Sequence, residues 1–76
     1  MKANANVSVT ITRGPYAGTT WVGPLSKAPI CSLGEGVVSA RTQTQDEMFR
    51  ADLSECDGRV TLTCGSWSAR VVEVQS

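Results

Sequence analysis

The feature that most constrains the fold is a short segment in which apolar and polar residues alternate strictly. In residues 6–12, NVSVTIT, the apolar side chains of Val7, Val9 and Ile11 are separated by Ser and Thr. Successive side chains of a strand point to opposite faces, so this period predicts a strand with one buried face. Gly-Pro pairs then enclose a short apolar piece, residues 19–22, which predicts a second strand.

The rest of the chain contains further short segments of this kind. Residues 25–36 lose the period, and their Gly and Pro residues indicate an irregular loop. Residues 37–44 are a candidate strand, and residues 67–71 alternate again after a Gly65-Ser66 turn signal. Five or six short strands at this spacing are typical of a small barrel or sandwich. The sequence therefore predicts one all-β, mainly antiparallel domain over residues 1–76.

Residues 44–56 allow two interpretations. Thr44 followed by Glu47 matches a capping box, which would begin a short helix near residues 45–55. As a strand, Phe49 and Leu53 fall on one face and alternate with polar residues.

The next residues favour the strand. Asp57-Gly58 is a two-residue hairpin signal, because glycine tolerates the positive φ that such a turn requires. A hairpin closed there places Leu53 opposite Leu62, so that the apolar residues meet on one face. The same register sends Cys56 and Cys64 to opposite faces, which predicts that no disulfide joins them.

A domain of 76 residues has a thin core and often needs a disulfide, a metal or a partner to stabilise it. The chain has no histidine, and its three cysteines lack zinc-ligand spacing, so we expect no metal and no cofactor. We find no apolar run typical of a signal peptide or a membrane span, which predicts a cytoplasmic or virion protein with reduced thiols. Self-association is then the expected source of stability, through residues 6–12 as an unprotected edge strand.

Charge and residue types exclude several functions. Seven basic and seven acidic residues cancel, and the basic ones are scattered singly, so binding to nucleic acid is not expected. Without histidine there is no catalytic triad or Cys–His pair, and we predict neither catalytic residues nor a small-molecule substrate. Carboxylates crowd residues 46–57, where Asp52, Glu55 and Asp57 are candidate protein contacts.

Gly14-Pro15-Tyr16-Ala17-Gly18, directly after an alternating strand, resembles the KOW motif of small SH3-like barrels in transcription elongation factors and ribosomal proteins. The resemblance covers about fifteen residues, and Trp21 stands where that motif has a further glycine. It implies a barrel that contacts RNA, RNA polymerase or a ribosomal surface, with Arg13 and Tyr16 at the contact.

Two tryptophans, Trp21 and Trp67, either fill the core or anchor an interface, and Trp21 is the one expected to be exposed. Three functional hypotheses follow. The first is a non-enzymatic structural module, such as a small decoration or assembly protein of a bacteriophage particle, acting through protein–protein contacts as a homo-oligomer or on a larger particle. The second is a small phage-type inhibitor that binds one host protein of defence or transcription through its acidic stretch. The third is the KOW-type barrel.

Overall fold

The predicted antiparallel sheet is present, but it is open and has four strands within residues 1–74, which the computed structural model describes. The strand order is β2-β1-β4-β3, and every neighbouring pair is antiparallel. The elements in chain order are β1 (Asn6–Arg13), β2 (Thr20–Pro24), a 3₁₀ turn (Leu25–Lys27), α1 (Ile30–Glu35), α2 (Ala40–Ser54), β3 (Arg59–Cys64) and β4 (Trp67–Glu73).

The prediction of a five- to six-stranded barrel or sandwich is wrong, and with it the SH3-like barrel implied by the KOW resemblance. Residues 25–36, expected to form a loop, and residues 37–44, expected to form a strand, instead contribute the 3₁₀ turn, α1 and the start of α2. Residues 45–54 adopt the helical alternative, although the N-cap is Ser39 and not Thr44. Fewer strands therefore remain, and β2 and β3 lie at opposite edges of the sheet without meeting.

The alternating segment forms β1 as predicted, with Val7, Val9 and Ile11 buried and the Ser and Thr residues facing outward. Its expected place at an edge is wrong, because β1 pairs with β2 on one side and β4 on the other. The second predicted strand is also present as β2. The Gly65-Ser66 turn is confirmed, since Cys64 pairs with Trp67 across it.

The hairpin predicted over residues 49–64 is wrong. Leu53 lies in α2 and Leu62 in β3, so the two residues are not cross-strand partners. Gly58 does adopt a positive φ of 60°, but it connects a helix to a strand. The candidate strand at residues 37–44 is wrong for the same reason: α2 begins at residue 40, where the Ser39 side chain accepts the Thr42 N–H at 3.2 Å.

The burial pattern of α2 explains why the sequence favours a strand over a helix there. The side chains of Thr42, Asp46 and Leu53 are buried, and Phe49 between them is partly buried against the core. These positions recur at the spacing of one helix face. Because two of the four are polar, a search for an apolar period passes over them.

The core lies between one face of the sheet and the two helices. Trp67 connects these layers: its ring meets Phe49 of α2 edge-on at a centroid distance of 6.0 Å, and it packs directly on Gly34 of α1. Gly14 in the β1–β2 connection lies against its Cβ. The fully buried large side chains around it are Val7, Val9, Ile11, Leu25, Ile30, Leu53 and Val71.

Candidate interaction surface

Arg13 and Tyr16, two of the predicted contact residues, lie at the end of β1 and in its connection to β2, and both are exposed. Gly14 adopts a φ of 114° and lets the connection turn, with its C=O accepting the Ala17 N–H at 3.2 Å. The Tyr16 ring lies over Gly36 at the end of α1, where an added Cβ would stand 2.2 Å from the ring.

Tyr16 forms one wall of an open groove of about 360 Å³ between the β1–β2 connection and α1. Val37 and Val38, beside it, are 62% and 68% exposed. The groove therefore presents an apolar surface with hydroxyl groups, a composition suited to contact rather than to proton transfer. Its lining residues are Tyr16, Thr19, Pro29, Ser32, Leu33, Gly36 and Val38.

The second predicted contact, Trp21, is half-buried on β2 and packs against the core cluster. Its ring covers the backbone of Gly23, where a Cβ would lie 2.7 Å from the ring. Trp67 is the fully buried tryptophan. Part of the Trp21 ring packs on Gly23 and the core, and a role for its exposed part in partner contact stays a prediction.

The structure does not bring the acidic stretch together as one surface. Asp52 and Glu55 are exposed at the C-terminal end of α2, and Asp57 is exposed in the connection to β3. Asp46, six residues before Asp52, is instead buried at 4% exposure on the opposite side of the helix. The exposed carboxylates remain candidate contacts.

Asp46 is the residue that sequence reasoning placed wrongly, and its role is structural. α1 begins after Pro29, which offers no side-chain cap, so its first N–H groups need another acceptor. The Asp46 carboxylate accepts the N–H of Cys31 and the hydroxyl of Ser32 (3.4 Å). Burial raises the pKa of Asp46, while the Cys31 N–H and the charge of Arg50 act in the opposite direction.

Cys31 is a structural thiol. It is fully buried in α1, and its Sγ–H donates to the Gln45 side chain at 3.5 Å. Burial raises the pKa of Cys31 to about 12, with the carboxylates of Glu35 and Asp46 acting in the same direction. A thiol of this kind is a poor nucleophile. Cys56 and Cys64 are partly exposed, and all three cysteines are free.

The face of the sheet away from the helices is rich in Ser and Thr. Across its middle runs a row of paired residues, one from each strand: Thr20, Thr10, Arg70 and Thr61. Thr10 and Thr20 are joined through their hydroxyls at 3.3 Å. This face carries uncharged hydroxyls with a few cations, a surface suited to polar contact.

The two edges of the sheet differ in how they are protected. The phase of the β1–β2 ladder leaves the backbone of Thr20, Val22 and Pro24 on the free side of β2, and Pro24 has no N–H to offer. At the other edge, β3 is a regular six-residue strand, RVTLTC, with a single charge at its first residue. Such an edge lacks the proline or central charge that usually blocks pairing with another chain.

Sequence reasoning missed this edge, because it paired residues 59–64 with residues 49–56, on the side of β3 that is free in the structure. The signal that could have found it is the Gly65-Ser66 turn, which pairs β3 with β4 and leaves its other side free once residues 49–56 are helical.

Comparisons with protein-family models, with curated proteins and with solved structures found no match. Among residues 1–74, no group of three or more His, Cys, Asp or Glu side chains is arranged to hold a metal ion. No helix in the described part of the chain is both long and apolar enough to cross a membrane.

Proposed function

We propose that this protein is a non-enzymatic assembly module that acts through protein–protein contacts, in the manner of a small decoration or assembly protein of a virus particle. The observation that carries the proposal is the open edge of β3, a regular strand whose backbone is available to another chain. Strand addition of this kind takes its affinity from main-chain hydrogen bonds and needs no catalytic group.

The chemistry of the titratable groups in the interior supports the same function. Asp46 caps α1, and Cys31 is held as a neutral thiol, so both act in the fold. The chain is low in charge and rich in Ser and Thr, so its surface offers polar but uncharged groups for contact. The attribution to a virus particle rests on this analogy of size and composition.

Sedimentation of the purified chain across a hundredfold dilution tests the proposal, with melting followed at each concentration. An assembly module is expected to exceed the chain mass of 8.0 kDa and to melt at a temperature that falls on dilution. A mass of 8.0 kDa at every concentration would refute self-assembly. The phage-type inhibitor of one host protein, contacting it through Asp52, Glu55 and Asp57, would then be the better proposal.

A further inference from the structure

We infer that β3 pairs with β3 of a second copy of this chain, antiparallel and about a twofold axis at Thr61, to form one continuous sheet. The inference rests on the proposed assembly function and names its partner and register. It follows from the phase of the backbone groups on the edge, from the apolar residues on the inner face, and from the position of the one charge.

The hydrogen-bond phase of β3 is fixed by its partner. Gly58 C=O accepts the Glu73 N–H at 2.7 Å, so Gly58 and every second residue after it face β4. The N–H and C=O of Thr61 and Thr63 therefore point to the free side of the strand. At Arg59 the C=O points there too, while its N–H is engaged with Asp57 C=O.

Antiparallel pairing about Thr61 uses these groups reciprocally. The N–H of Thr61 meets the C=O of Thr61 in the second copy, and the reverse bond forms by symmetry. The N–H of Thr63 meets the C=O of Arg59 in the second copy. A twofold interface needs this kind of self-complementarity, in which one patch supplies both sides.

The side chains match in the same register. On the inner face, Val60 comes opposite Leu62 of the second copy, and both are only partly buried in the single chain. α1 packs on β4 and β1, and α2 packs chiefly on α1, so this end of the apolar layer is incompletely covered. On the outer face, Arg59 comes opposite the uncharged Thr63, and no like charges meet.

The edge of β2 makes β3 the better choice of contact. Pro24 removes a donor from the free side of β2, and the strand is one residue shorter than β3. Pairing of β3 with β2 of another copy would be head-to-tail and would build a ring or an open filament, whereas pairing of β3 with β3 closes at two chains.

Two substitutions at Thr61 test the pairing. Thr61→Pro removes an N–H that faces the free edge and leaves the bonds to β4 intact, a position at which strands tolerate proline. Each copy loses a donor at the axis, so we expect dimer affinity to fall by roughly thirtyfold or more. Thr61→Glu retains the backbone N–H, and in the single chain its carboxylate lies beside Arg70. In the dimer it places two glutamates face to face at the axis, so we expect charge repulsion to weaken the dimer.

The matched control is Thr20→Glu, the same change on the same sheet face at the opposite edge. It is expected to leave the dimer unchanged. Circular dichroism of each variant establishes that the monomer is folded, and Thr61→Glu decides the question if Thr61→Pro does not fold.

The register is tested by oxidation of Thr61→Cys with Cys56 and Cys64 replaced by serine. Residues facing each other in a hydrogen-bonded antiparallel pair have Cα atoms about 5.5 Å apart, a distance that a disulfide spans. A cross-linked dimer is expected for Thr61→Cys and not for Thr20→Cys in the same background.

The outcomes separate this inference from the proposed function. If the native chain assembles and both Thr61 variants assemble with unchanged affinity, the β3 pairing is refuted while assembly stands. If the native chain stays at 8.0 kDa at all concentrations, the self-assembling function fails together with the pairing. Loss of the dimer in the Thr61 variants but not in Thr20→Glu supports both.

Discussion

Replacing Gly34 by alanine sets two effects of opposite sign against each other. Gly34 is buried in α1, and by helix propensity alone alanine would stabilise the helix by about 0.8–1 kcal/mol. The structure predicts the reverse. A Cβ at this position would lie 2.3 Å from Cδ2 of Trp67 and 2.5 Å from Cε2, against a normal carbon–carbon contact of roughly 3.5–4.0 Å.

Relief of that overlap requires α1 or the Trp67 ring to move by about 1 Å, in a region where the ring is also held by Phe49 and Gly14. Overpacking of this kind costs about 1–3 kcal/mol, and the closeness of the overlap favours the upper end. After the gain in helix propensity, we expect a net loss of about 2 kcal/mol, which lowers the melting temperature by roughly 8–16 °C in a domain of this size.

Urea unfolding followed by tryptophan fluorescence measures the change, with protein concentration held constant. Ala51→Gly, at an exposed position of α2, calibrates the Ala–Gly propensity difference in this chain and should lose about 1 kcal/mol. In a double-mutant cycle with Trp67→Phe, which has a smaller ring, Gly34→Ala should cost less than it does alone. A Gly34→Ala variant more stable than the native chain would refute the packing of Trp67 on α1.

Three further predictions concern single residues. Burial raises the pKa of Asp46 above its ordinary value of 3.8, so the folded state binds the proton more tightly than the unfolded state does. The contribution of this group to the free energy of unfolding therefore falls as pH rises above 3.8. Asp46→Asn should flatten that part of the pH profile in urea titrations, and a profile unchanged by the substitution would contradict it. In the folded protein, a thiol reagent at neutral pH should modify Cys56 and Cys64 well before Cys31, and equal rates for all three would count against the buried thiol. Gly58→Val should lower stability by about 1–2 kcal/mol because of its φ of 60° alone, since an added Cβ meets nothing; calorimetry showing no loss would argue against this backbone geometry.

The strands that could be predicted from the sequence are those in which one face is apolar and the other is not. In β1 the alternation of Val and Ile with Ser and Thr matches the burial of each residue. The Gly65-Ser66 turn could also be predicted, because glycine is the residue that most easily adopts a positive φ, and Gly65 has a φ of 56° there. Local patterns of this kind carry enough information to fix an element, although not its place in the sheet.

α1 could not be predicted in the same way, and α2 was predicted only as the alternative to a strand. α1 ends at Gly36 with a φ of 75°, but it is only six residues long and begins after a proline without a capping side chain. Its cap comes from Asp46, fifteen residues along the chain. For α2, the helical alternative near residues 45–55 begins too late, since the N-cap is Ser39, and the polar buried residues Thr42 and Asp46 weaken the apolar period that would have favoured it. Both failures arise because tertiary hydrogen bonds satisfy groups that a local pattern counts as exposed.

The polar character of α2 also bears on the open edge. A helix whose buried face includes Thr42 and Asp46 covers less apolar surface than its length would allow. Its apolar contacts with the core come from Leu53 and from Phe49, which meets Trp67, and the inward residues of β3 are left only partly buried. The polar buried residues that made α2 hard to recognise thus also leave the apolar layer incompletely covered along β3. The apolar side chains and the free backbone groups of β3 lie on that same margin, so a single partner strand would cover both.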